Sequence, residues 1–312
     1  MGWGASGFAT EATTLDWPGA AASVQDAVLA GAQRLKARSS GRRAPINDEG
    51  FERLEPPAEG DWRAEHPEEK FQSIEKYLRE LENRITPQRR TIYIQPLGRI
   101  ARERAKLLET VREYMAAFFG AETRLLPAIE PPEGAWVAGR EQYEAGRLLD
   151  FLAQRAPKDA AVIAGFIEED IFTDDDNFVF GLAQEQSRAG VFSLARLGER
   201  YRGSPKGATL ERRMLALASH ELGHVFGVDH CVRYRCVMEG SNSLEESDRQ
   251  PMQLCPIDLE KLRLDLGFDP LRRYEALEGF YGRHGYAAEA AFCAARRAAL
   301  AGRPGSEPSG EN

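Results

Sequence analysis

Three of the chain's five histidines fall within eleven residues, His220-Glu221-Leu222-Gly223-His224-Val225-Phe226-Gly227-Val228-Asp229-His230. His220 and His224 are four apart, so on a helix they share one face, one turn from each other. Gly227 readily takes the left-handed conformation that ends a helix. A turn there brings His230 back toward the first pair. The chain must therefore supply a helix, a stop and a reversal at this point. Three imidazoles gathered in this way can hold zinc at about 2.0–2.1 Å and leave a fourth position open, which is the mark of a catalytic site. Glu221 follows the first ligand directly and can face that open position without ligating, where a carboxylate serves as general base toward water.

Composition narrows the class. The formal net charge is −8, with 29% charged and 42% apolar residues. That balance suits a globular protein and disfavours nucleic acid or an anionic membrane surface as partner. No apolar run approaches the length of a membrane span. Glu11 and Asp16 fall where a secretion signal would be apolar. Met1-Gly2 with Ser6 fits a loose acylation pattern, but that pattern fixes few positions. The four cysteines are Cys231, Cys236, Cys255 and Cys293. Three of them follow the histidines closely, and without a secretion signal this points to metal binding in a cytoplasmic protein rather than to disulfides.

The organisation expected along the chain has four parts. Residues 1–50 form a flexible tail, with one helix-compatible stretch at 20–38 and a basic run (Arg34, Lys36, Arg38, Arg42, Arg43) read as solvated. Residues 51–90 form an extension packing on the catalytic domain, with an amphipathic helical stretch near 71–81. Residues 91–285 form the catalytic domain, its upper part 91–226 and its lower part 227–285. Residues 286–312 hold a helix at 287–300 and a disordered end. Within the catalytic domain, strands are expected at 91–95 (ended by Pro96), 122–126, 160–166, 178–182 and 191–194. Helices are expected at 101–119, 141–155, 210–226, 259–266 and 271–281. Strand alternating with helix implies a largely parallel sheet with right-handed crossovers.

The spacing HExxHxxGxxH is the metzincin signature. Met238, in Cys236-Val237-Met238, resembles the Met-turn that follows it, and Cys231 and Cys236 resemble those of one branch, the archaemetzincins. Further stretches are similar to that family: Thr91-Ile92-Tyr93-Ile94-Gln95-Pro96-Leu97-Gly98, Asn177-Phe178-Val179-Phe180-Gly181, Val191-Phe192-Ser193-Leu194-Ala195-Arg196, Gly240-Ser241-Asn242-Ser243-Leu244-Glu245-Glu246 and Leu254-Cys255-Pro256. The resemblance covers about residues 90–285. It implies an α/β zincin fold: a mixed five-stranded twisted sheet, an active-site helix, and a small lower subdomain with Met238 as the floor of the zinc site. It also implies an antiparallel edge strand along the cleft, here Asn177, Phe178, Val179, Phe180 and Gly181. An extended peptide could pair with such an edge, although an ordinary sheet edge would look the same.

The family resemblance further implies a second, structural zinc held by four cysteines. Cys231, Cys236 and Cys255 match three of them, and Asp258 stands where the fourth would be. Three completions are open: an Asp258 oxygen as fourth ligand, three buried thiols without metal, or Cys293 returning from the C-terminal segment. The expectation carried forward is a second zinc on Cys231, Cys236, Cys255 and Asp258. Gly240 occupies the place where many metzincins carry a tyrosine, which leaves the oxyanion-stabilising group unassigned. His66 and His284 read as surface residues, and Asp174, Asp175 and Asp176 as a charged loop. The functional expectation is a zinc-dependent metallopeptidase acting on a peptide or protein substrate. The alternatives are a silent zinc-binding interaction protein and a zinc amidohydrolase on a non-peptide amide. Oligomeric state is not legible.

Overall fold

The apolar run at Ala160–Ile167 becomes the central strand of the main sheet. The computed structural model describes residues 48–198 and 209–301. In it, β1 (Thr91–Leu97) and β5 (Ala160–Ile167) are buried along their whole lengths, as expected of parallel strands covered on both faces. With β2 (Thr123–Leu125), β7 (Gly181–Gln184) and β8 (Ala189–Ser193) they form a five-stranded sheet of order β2-β1-β5-β8-β7. All pairings are parallel except β7 with β8. The expected mixed sheet is therefore present, with an antiparallel strand at its edge.

The alternation of side chains along these strands builds a core on each face. Ile92, Ile94, Val162, Ala164 and Phe166 face one apolar cluster, shared with α3 (Arg102–Phe119), α5 (Leu210–Val225) and the helices that follow. Tyr93, Leu97, Ile163 and Ile167 face the other, covered by α4 (Ala145–Arg155). Beyond α5 come α6 (Leu244–Asp248), α7 (Pro256–Leu266), α8 (Pro270–His284) and α9 (Ala287–Ala301). Among the described residues, no helix is long and apolar enough to cross a membrane.

Several boundaries differ from the sequence expectation, each for a local reason. β1 does not stop at Pro96. The N–H groups of β1 at even positions point toward β2, as Ile92 does in donating to Glu122. The pairing with β2 ends at Ile94, but Pro96 and Leu97 still pair with β5 and the Pro96 carbonyl accepts from Ile129 N–H, so the strand runs on through a proline that costs it one N–H. The helix expected from 141 starts at Ala145, because the Glu144 carboxylate accepts from the N–H groups of Gly146 and Arg147 and caps it there. Residues ahead of that cap enter a second, small sheet of order β3-β4-β6, made of Trp136–Val137, Gln142–Glu144 and Ile171–Phe172. Such short strands are too brief to show periodicity. α7 starts three residues early, at Pro256, with the Cys255 sulfur accepting from Asp258 N–H as cap.

The edge strand also needs correcting. It runs over Gly181–Gln184, so of Asn177, Phe178, Val179, Phe180 and Gly181 only Gly181 lies in it. Phe180 still meets the main sheet, its carbonyl accepting from Ser193 N–H of β8 at 2.9 Å, but the small sheet draws Asn177, Phe178 and Val179 away. The Asn177 carbonyl accepts from Arg140 and Gln142 at 3.0 and 2.9 Å, Val179 N–H donates to Ile171, and the Arg196 guanidinium stacks on the Phe178 ring. Residues 48–50, expected in the tail, are docked: Tyr234 donates to Asp48 and Arg296 to the Glu49 carbonyl. The helix-compatible stretch at 20–38, the basic run and the end at 302–312 lie outside the described residues. The amphipathic stretch near 71–81 forms α2 (Ile74–Glu80), preceded by the short α1 (Trp62–Glu65).

Candidate metal centre

His220 and His224 lie on α5, one turn apart. The helix ends as its sequence dictates. Gly227 takes φ +74°, and Val228 and Gly227 N–H groups donate back to the Gly223 and His224 carbonyls, a left-handed helix stop. The reversal carries His230 to the pair. Ring centroids are 4.6 Å apart for His220 and His224, 5.3 Å for His220 and His230, and 4.9 Å for His224 and His230. One ligand atom from each of the three lies within 4.8 Å of the others.

The hydrogen bonds decide which nitrogen is free. Nδ1 of His220 lies 2.8 Å from the Val237 carbonyl, that of His224 2.7 Å from the Val228 carbonyl, and that of His230 2.6 Å from the Glu69 carboxylate. A carbonyl can only accept, so Nδ1 of His220 and His224 carries the proton, and an ionised Glu69 carboxylate favours the same for His230, leaving each Nε2 with a lone pair. The Nε2 atoms of His220 and His224 stand 3.0 Å apart. Two lone pairs facing at that distance repel unless a cation lies between them. Burial, with His230 adding to it, lowers the pKa of His220 to about 4, and burial with His224 lowers that of His230 to about 3. His224 is lowered for the same reasons, burial first and then His220. The trio is thus neutral near pH 7, as zinc ligands must be. The donor set fits zinc: three nitrogens, with orienting acceptors already in place behind them.

Glu221 sits beside this cluster. Burial raises its carboxyl pKa, against a smaller pull from His224. A Cβ added at Gly181 would lie 3.4 Å from Glu221 Cγ, so the edge strand begins beside this carboxylate. Met238 packs beneath the helix, and a Cβ at Gly223 would meet its sulfur at 2.4 Å. A side chain here would force Met238 to move, so the Gly223 backbone and the Met238 side chain pack directly on each other.

The second cluster lies at the adjoining residues. Cys231, Cys236, Cys255 and Asp258 bring ligand atoms within 4.8 Å of one another, all of them buried. Tetrahedral zinc with sulfur ligands near 2.3 Å sets S···S edges of about 3.7 Å and S···O edges of about 3.5 Å. Cys231 and Cys255 sulfurs are 3.7 Å apart, and an Asp258 oxygen lies 3.4 and 3.2 Å from Cys236 and Cys255. Burial pushes Cys236 and Cys255 up and raises Asp258 to about 6, while hydrogen bonds with Cys236 and Cys255 hold Cys231 down. Lys261, itself buried, bonds Asp258 at 2.7 Å. One ammonium leaves most of the charge of four anionic ligands uncompensated, and a dication beside it would bring the cluster close to neutrality. Cys293 is buried in the core away from this group.

Several residues at these sites escaped the sequence reading. Glu69 stands behind His230 across 161 positions, and no local pattern marks it. Trp62 lies edge-on to His230 at 5.1 Å and stacks on His66 at 3.8 Å. Its indole fills the space over Gly240, where a Cβ would come within 2.3 Å. The missing tyrosine at Gly240 was the one available hint that another side chain covers that face. His284 stacks on Phe280, away from the cluster. Asp174, Asp175 and Asp176 are exposed.

The profile of peptidase family M54 matches residues 107–264. Archaemetzincin-2 of Pongo abelii is 34% identical over 256 residues, covering 70% of this chain and 71% of its own. The archaemetzincin of Methanocaldococcus jannaschii is 35% identical over 173 residues, 55% of this chain and 92% of its own. Among solved structures, the archaemetzincin of Methanopyrus kandleri superposes with a TM-score of 0.50 at 29% identity, covering 59% of this chain and 99% of that one.

Proposed function

This chain belongs to peptidase family M54, the archaemetzincins, and is thereby a zinc metallopeptidase; from that premise we propose that His220, His224 and His230 hold the working zinc and that Glu221 is the general base of peptide-bond hydrolysis. The observation that carries the reading is the convergence of three Nε2 lone pairs, each fixed by an acceptor behind Nδ1. Zinc in that position supplies Lewis acidity toward a peptide carbonyl and toward water. Glu221 takes the proton of the attacking water and returns it to the leaving amine. Its raised pKa suits both tasks, because a carboxyl closer to neutrality accepts and releases a proton with smaller free-energy steps. The substrate is a peptide or protein segment in extended form. The exposed side of β7, which begins beside Glu221, offers it backbone partners.

The second proposal is a structural zinc on Cys231, Cys236, Cys255 and Asp258, with Lys261 offsetting part of the ligand charge. Such a site suits a cytoplasmic setting, where thiols stay reduced. The test of both assignments is the metal count after equilibrium dialysis against low zinc. The unaltered chain is expected to retain two zinc ions, His224→Ala one, and Glu221→Ala two. A His224→Ala chain that retained as much zinc as the unaltered one would remove the three-histidine site from the account.

A further inference from the structure

The third histidine is held differently from the other two. His220 and His224 donate to the Val237 and Val228 carbonyls, both within the stretch 107–264 that the family profile matches. His230 donates instead to a side chain, Glu69, at 2.6 Å, which lies well before that stretch. The same extension grips the whole turn that delivers His230. Gln72 bridges it, donating to the Gly227 carbonyl at 2.8 Å and accepting from Asp229 N–H at 3.1 Å. Lys76 reaches the Asp229 carboxylate at 3.1 Å. Trp62 closes against the His230 ring from the side.

We propose that Glu69 is a positioning residue of the zinc centre: its carboxylate keeps His230 in the Nδ1-protonated tautomer with Nε2 turned inward, and the 69–76 stretch holds the turn that makes this possible. The inference rests on the three-histidine reading above. It makes the extension a working part of the metal site rather than an appended layer. A carboxylate behind a ligating imidazole fixes ring orientation and raises its basicity, and losing such a partner typically costs 10–100-fold in metal affinity.

The experiment uses the full chain and compares Glu69→Ala, Glu69→Gln and Lys76→Ala. Zinc affinity is measured by competition with a chromophoric chelator. Cobalt substitution separates the sites, because thiolate-to-cobalt charge-transfer bands report the cysteine site alone. Glu69→Ala is expected to weaken the three-histidine site about 10–100-fold. Glu69→Gln, which keeps an acceptor oxygen but no charge, is expected to fall between it and the unaltered chain. The d–d spectrum of cobalt at the histidine site should shift in both, and the thiolate bands in neither. Lys76→Ala loosens the turn through Asp229 without touching an imidazole, and is expected to cost clearly less affinity than Glu69→Ala. If Glu69→Ala does not fold, the near-isosteric Glu69→Gln carries the test. Unchanged affinity and spectrum in the Glu69 variants, or an equal loss in Lys76→Ala, would overturn the proposal. If His220→Ala bound as much zinc as the unaltered chain, the three-histidine reading itself would fall and this inference with it.

Discussion

Each of the three site histidines has Nδ1 against an acceptor, and that single feature makes the motif a candidate metal centre. The motif itself was plain in the sequence, because a spacing of four and a glycine stop are local properties. The acceptors were not: they lie 4, 17 and 161 positions away from His224, His220 and His230, and only the folded chain brings them in. A different residue shows how burial is felt at this scale. Asp265 accepts from Ile85 N–H through one oxygen, while the other is buried without a partner. Burial raises its pKa to about 6, well above the unfolded value near 3.8. The folded state therefore binds this proton more tightly, so stability is highest below about pH 4 and falls as pH rises through about 6. Asp265→Asn should remove that fall and raise stability at pH 7 by about 1–2 kcal/mol, allowing for partial solvent access. Thermal melts of both forms between pH 4 and 7 check this, and parallel pH profiles would contradict it.

Among the elements, α5 matters most, since it carries two of the proposed zinc ligands and Glu221. It is anchored at its start by Arg213, which makes a two-pronged bond to Asp248 of α6 at 2.9 and 2.8 Å. The side chains are 3% and 1% exposed, so neither charge can fall back on water. Asp248→Ala should therefore cost about 3–5 kcal/mol, and replacing both partners with apolar residues of similar size should recover much of that loss. Chemical denaturation of the single and double variants measures it; equal stabilities for the two would contradict it. The helices and buried strands were legible because each is long enough to display its period. The shifts arose where one side-chain contact overrides the pattern. Glu144 caps α4 four residues late, and Arg140, Gln142 and Arg196 pull the Asn177–Phe178 region off the edge strand. A sequence window does not contain both partners of such contacts.

At the scale of the whole molecule, the two candidate metal clusters are joined rather than merely close. His230 and Cys231 are consecutive. The Val237 carbonyl that orients His220 lies between Cys236 and Met238, and Cys231 N–H donates to the Met238 carbonyl at 2.7 Å. The cysteine cluster thus frames the floor of the histidine site. Cys231→Ser should lower the zinc count by one and also weaken zinc at the histidines several-fold, since orienting contacts of this kind are worth about 10-fold or more in affinity. Chelator competition on the variant tests both, and full zinc content at unchanged affinity would contradict the coupling. The sheet, its strand count and the cysteine spacing were readable because they are regular or local. That 51–90 would pack on the catalytic domain was an expectation, but which residues meet was not readable, since they are long-range contacts such as Arg235 N–H to the Glu52 carbonyl and Trp62 N–H to Glu246.

The most direct test of the central claim is cleavage of a mixed peptide library, read by mass spectrometry, with the unaltered chain and Glu221→Ala at equal zinc loading. New termini produced by the unaltered chain alone are predicted, and their positions would separate end-trimming from internal cutting. Identical spectra from the two, with zinc confirmed in both and pH varied widely, would contradict hydrolysis driven by Glu221.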